Sequence, residues 1–264
     1  MLQKTIIPLL WCVVFSTTTW AQDSTYAITF GGGGAFSTTQ DRFASDLIHT
    51  GFHGYASIGY IDPMSELEAQ FQYGQINTGT SPLNADIQHL RGDINYRQYI
   101  PVSFLPNEDM NIGLGLLSQG SYRRYPTFVN NDRQYDFATA LSLEYRYIKA
   151  LPWSIGKRTL HLRWHASLPF FALTMRPGYN TSIPDGYRPE DAEGVSAVLN
   201  SLESATFNNY WRFISKLAIQ LPFLNGNAME LHYQWDVYQH RRRNMLTSGT
   251  HQLGVILHLN TKRP

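Results

Sequence analysis

The sequence predicts an all-β fold: a single antiparallel sheet of about ten strands, closed into an up-and-down barrel with a filled lumen. Apolar and polar side chains take turns with a period of two in stretches that recur along the chain, and a period of two is a strand signature because successive side chains leave opposite faces. The gaps between these stretches alternate strictly between short and long. The polar parity is unusually ionic.

Each stretch can be read in order. Strands are expected near 25–35, 51–60, 65–75, 87–100, 110–120, 135–150, 158–173, 208–221, 228–239 and 250–260. In the third, Leu67, Ala69, Phe71 and Tyr73 alternate with Glu66, Glu68, Gln70 and Gln72; in the ninth, Met229, Leu231, Tyr233, Trp235 and Val237 alternate with Glu230, His232, Gln234 and Asp236. Short gaps at 61–64, 101–109, 151–157 and 222–227 are rich in Pro, Asn and Gly, as tight turns are. Long gaps fall at 36–50, 76–86, 121–134, 174–207 and 240–249. Both chain ends then lie on the short-turn side. Gly31 to Gly34 lacks the Lys-Ser/Thr and the helix of a phosphate loop, so a bulge or sharp bend in the first strand is expected there.

Composition bounds the alternatives. Of 264 residues 43% are hydrophobic, 14% aromatic and 16% charged, with one Cys, which excludes a disordered, collagenous, coiled-coil or disulfide-stapled chain. Residues 1–21 carry Lys4, an apolar core and small Thr19 and Ala21, the pattern of a secretory signal cleaved before Gln22. Removing them leaves 20 basic against 20 acidic side chains, so no global field recruits nucleic acid. Residues 22–264 form one domain in this reading. No stretch after Gln22 approaches the ~18 apolar residues of a membrane helix.

A soluble sandwich and a membrane barrel share the alternation and differ in what faces what. Aromatic residues gather toward strand ends, with Tyr60, Tyr99, Tyr147, Trp153 and Phe223 near the short turns and Tyr122, Phe170, Trp211 and Trp235 near the long loops. Two such belts belong at two membrane interfaces. With the export signal, they favour the transmembrane barrel. On this pattern the chain resembles the bacterial outer-membrane β-barrel class over residues 25–260. The resemblance implies a Gram-negative outer membrane, periplasmic termini, and contact with membrane lipid and lipopolysaccharide. The last strand, Gln252 to Asn260, alternates as a barrel-closing strand does, and the chain ends Lys262-Arg263-Pro264 without a terminal aromatic. Omptin protease, phospholipase and lipid A deacylase motifs do not match.

The candidate site residues follow from the inward parity. Level pairs are expected between Glu68 and Arg97, Glu144 and Arg163, and Asp236 and Arg212, because neighbouring strands lie about 4.8 Å apart. Ten strands enclose little more than side chains fill, so a lumen plugged by ion pairs is the expectation. His232 with Asp236, joined by His165 and Ser167, is the one constellation resembling a base and nucleophile, although about 13 Å separates His232 from Asp236 along a strand. The same spacing of His161 and His165 argues against a metal site, and no cofactor is implied. In the longest gap Pro189-Glu190-Asp191 opens a helical spacing of Val195, Val198, Leu199 and Leu202, an apolar stripe suited to a cap or to docking a partner. Arg241-Arg242-Arg243 and Arg123-Arg124 are candidate contacts for lipopolysaccharide phosphates. The expected function is a non-enzymatic surface or accessory barrel that docks a protein or glycan through its outer loops. The alternatives are a lipid or peptide hydrolase and a narrow channel for small polar solutes.

Overall fold

A computed structural model describes residues 26–42, 47–78, 86–102, 108–126, 133–176, 202–223, 225–241 and 245–261. The expected signal segment, the helical stripe at Val195, Val198 and Leu199, and Arg242 and Arg243 lie outside them. The wall is built from β1 (Tyr26–Asp41), β2 (Ile48–Ile61), β3 (Ser65–Asn77), β4 (Ile87–Pro101), β5 (Glu108–Arg124), β6 (Arg133–Ile155), β7 (Arg158–Met175), β9 (Tyr210–Pro222), β10 (Ala228–His240) and β11 (Leu246–Thr261), with a short β8 (Glu203–Thr206) between β7 and β9. Consecutive wall strands pair antiparallel, β6 with β7 and β7 with β9 included, and β1 pairs with β11 from Tyr26–Thr261 to Asp41–Leu246. Ten long strands thus close into a barrel.

The pattern of burial is inverted relative to a water-soluble sheet. Along β10 the charged or polar Glu230, His232, Gln234 and Asp236 are buried, and Met229, Leu231, Tyr233 and Trp235 are exposed. Phe30, Phe71, Ile94, Leu114, Leu143 and Leu253 continue that exposed apolar surface around the wall. An apolar belt of this extent needs hydrocarbon rather than water against it. The two parities therefore face lipid and lumen, and the sandwich alternative falls away.

Several strands run further than the alternation predicts, and in β1, β5 and β6 the reasons are local. β1 continues to Asp41 through buried Ser37 and Thr39, and β5 continues to Arg124. β6 reaches Ile155, so the turn to β7 is only Gly156-Lys157, with Gly156 at φ 65°. Glycine takes that left-handed backbone without a Cβ penalty. The ladder of β6 and β7 shifts register between Leu141 and Ser142 and between Ala150 and Ser154. The first shift lies opposite Pro169, which has no N–H for the ladder, and it turns Ala172 and Thr174 inward where Ala166 and Leu168 faced out.

The glycine run of β1 makes no bulge: Gly31 to Gly34 pair without a break to both β2 and β11. What it supplies is a notch. Gly33 lies level with Gly254 and Tyr55, and a Cβ on Gly254 would sit 1.7 Å from the Tyr55 hydroxyl. Across these two glycines Tyr55 reaches from β2 to hydrogen-bond His232 Nε2 on β10 at 2.8 Å.

Candidate functional site

Charged side chains meet across the lumen in three tiers. At the long-connection end Asp41, Arg123, Asp136 and Arg176 form an alternating ring. Arg123 Nη2 lies 3.1 Å from Asp41 Oδ2, Arg176 Nε lies 3.9 Å from Asp136 Oδ1, and closer contacts join Arg123 to Asp136 and Arg176 to Asp41. Arg123 is fully buried. Tyr125 donates to Asp41 and packs with Ile76 and Ile87, filling the remaining width.

A second ring crosses the middle. Arg91 Nε donates to Asp93 at 2.8 Å, Arg212 Nη2 reaches Asp93 at 3.0 Å and Asp236 at 2.7 Å, and Arg91 closes the ring on Asp236. Two arginines and two aspartates, drawn from β4, β9 and β10, cancel there.

The third tier fills the short-turn half. Glu66 receives Arg146 at 3.1 Å and Arg163 at 3.3 Å; Glu230 receives Arg163 at 2.9 Å and Lys216 at 3.1 Å. Arg97 lies 3.4 Å from Glu68, 3.8 Å from Glu66 and 3.6 Å from Glu144. The four glutamates match Arg97, Arg146, Arg163 and Lys216 in charge. Arg146 also donates to Pro63 O at 2.6 Å, drawing the β2–β3 turn beneath the barrel. The pocket among these groups has a volume of about 50 Å³, room for a few waters. The cavity in the upper lumen is about 20 Å³.

The expected residues are found at the lumen, with partners that differ in part. Arg97 meets Glu68, and Arg212 meets Asp236, each as a diagonal rather than a level pair: Glu68 lies opposite Asn95, and Asp236 opposite Ile214. Glu144 and Arg163 do not pair. Arg163 is level with Ile148, and Glu144 is level with Ser167. Counting heights from an assumed seven-residue turn places β7 too high against β6, and the two-residue turn corrects it. Arg123, expected at the surface, is a lumen residue because β5 continues its inward parity to that point. Tyr99, expected in an aromatic belt, is buried beneath Arg146, whose guanidinium carbon is 4.1 Å from the ring centre. Leu202 precedes β8, and Arg241 is exposed and bonded to Gln239 at 2.6 Å.

The four catalytic candidates divide. His232 is occupied by Tyr55 and Asp236 by two arginines, so the two do not cooperate. His165 and Ser167 do meet, and both converge on Glu144, at 2.7 Å and 2.5 Å. The histidine nitrogen that faces Glu144 is the one 3.3 Å from Ser167 Oγ. A base oriented by a carboxylate uses one ring nitrogen for each partner; here a single nitrogen serves both, and Ser167 is fully buried. Asp41 and Arg176 escaped the sequence reading because 36–50 and 174–207 read as loops, although Ser37, Thr39 and Asp41 keep the inward parity; Asp136 sits on the inward parity of the expected strand 135–150 but was not singled out there.

No protein-family model and no curated protein matches the chain. Among solved structures, the outer membrane protease OmpT from Escherichia coli superposes with a TM-score of 0.50 at 8% identity, over 93% of this chain and 99% of that one. The translocator domain of the autotransporter NalP from Neisseria meningitidis gives a TM-score of 0.33 at 8% identity, over 96% and 94%. At such identities the likeness is one of fold. The chain has the closed antiparallel β-barrel fold of outer-membrane proteins.

Proposed function

We propose that the chain is a non-conducting outer-membrane barrel of a Gram-negative bacterium that works through the long connections at one end, docking a partner protein or surface glycan there. In this reading residues 1–21 direct export, the wall contacts lipid and lipopolysaccharide, and the termini sit in the periplasm. One observation carries the proposal: three tiers of ion pairs, each neutral in itself, cross the lumen, and the pockets found between their described residues are about 50 and 20 Å³. A solute channel needs a continuous water path, and ion pairs spanning the lumen weigh against one.

The test is chemical cross-linking on intact cells, comparing the wild type with a variant lacking residues 190–202. A surface partner captured by the wild type and lost from the variant supports docking. A partner retained by the variant, with the folded barrel present in both, rejects that loop as the site.

A hydrolase is the second reading, favoured by the contact of Ser167 with His165 and Glu144. It requires a buried serine to meet substrate. Lipid or peptide hydrolysis that disappears in Ser167→Ala would establish it.

A further inference from the structure

Between the upper two rings sits a pair of imidazoles that no ion pair explains. His53 on β2 and His89 on β4 are each level with Gly74 on the strand between them. Gly74 allows them to meet, since a Cβ there would lie 2.1 Å from His53 Cδ2. Their ring centroids are 5.2 Å apart at 70°. Both residues are buried, and among the described residues neither Nε2 has a hydrogen-bond partner.

The surroundings are cationic. His53 Nδ1 meets Ser37 Oγ of β1 at 3.1 Å, and Ser37 in turn meets Thr250 of β11. From β3 the pair faces Gly74 and Gln72, which carry no charge. The charged groups acting on it are Arg91, two residues along β4, and Arg123, level with His89 on β5. Asp93 of β4 and Asp236 of β10 are engaged by Arg91; Asp41 of β1 and Asp136 of β6 are engaged by Arg123. So the pair lies within electrostatic reach of one arginine of the middle ring and one of the mouth ring, and the carboxylates of both rings are already committed.

We propose that His53 and His89 form an acid-sensitive joint: the closed upper lumen holds both imidazoles unprotonated beside one arginine of each ring, so acid favours a loosened lumen in which water reaches them and they take up protons. Imidazole is the side chain whose charge changes in mildly acidic surroundings. Like charges in a confined, poorly solvated space repel strongly, and the notch at Gly74 holds the rings too near to avoid each other. The proposal concerns the barrel alone and stands whether or not the loops dock a partner.

The experiment is thermal unfolding of the full chain in detergent micelles at about pH 7.5 and about pH 5, for the wild type and for His53→Gln/His89→Gln. The wild-type midpoint is expected to fall by about 5 °C on acidification and that of the double variant by less than half as much. An unchanged wild type, or an equal fall in both proteins, overturns the proposal. If the double variant does not fold, His89→Gln alone must remove part of the fall. If neither folds, wild-type current across planar bilayers decides: current steps that appear on acidification support the joint, and silence at both pH values overturns it.

Discussion

Glu230 and Leu231 are neighbours in sequence, one fully buried among cations and the other half exposed. That contrast, repeated residue by residue, fixes which substitutions matter. Asp236 serves Arg91 and Arg212 at once. A buried ion pair adds little net stability over an apolar filling, but removing one partner strands the other. Asp236→Asn is expected to cost about 3 kcal/mol, read as a lower urea midpoint for unfolding in micelles. Glycines separate by direction. Gly254→Val would drive its side chain into Tyr55 and break the contact with His232, at an expected ~2 kcal/mol; Gly92→Ala, with open space before its Cβ, should lie within about 0.5 kcal/mol of the wild type. Equal effects at the two positions would contradict the notch. At this scale the inward list was legible, because parity alone sorts Glu66, Arg91, Arg97 and Asp236 to one side. Their partners were not legible: a salt bridge depends on register, and register depends on turn lengths that a strand pattern does not report.

Strand existence was legible for all ten wall strands, and strand ends were not. Apolar alternation fades where a strand rises out of the hydrocarbon, so Ser37 to Asp41 and Ser121 to Arg124 read as loop although they continue the wall. The β6–β7 pair shows a second limit, since a bulge at Phe170, beside Pro169 on β7, flips the facing of everything beyond it and a period-two pattern carries no warning. Beyond that bulge β7 is paired with β8 rather than β9, whose ladder with β7 spans only His161 to Ser167. Amide hydrogen exchange in micelles should therefore run faster at Phe170 than at Leu162 to Ser167, because an incomplete ladder opens locally; uniform protection along β7 would contradict the break. The outer face has its own test. Leu231→Arg on β10 is expected to cost about 2–4 kcal/mol in a bilayer, as arginine does on the lipid face near the midplane. A neutral effect would place that face in water.

For the whole molecule, the two parities join into one object: an apolar exterior, a lumen whose charges cancel tier by tier, and a floor made by the β2–β3 turn under Arg146. The short β8 and most of the mouth ring went unread in the sequence, because β8, Asp41, Arg123 and Arg176 lie within stretches that scan as loop. The central claim is that the lumen is sealed, and planar-bilayer recording of the purified full chain near neutral pH tests it most directly. The account predicts no current steps above the bare membrane. Regular ohmic steps from the wild type would mean that water passes all three tiers, and the closed barrel described here would be wrong.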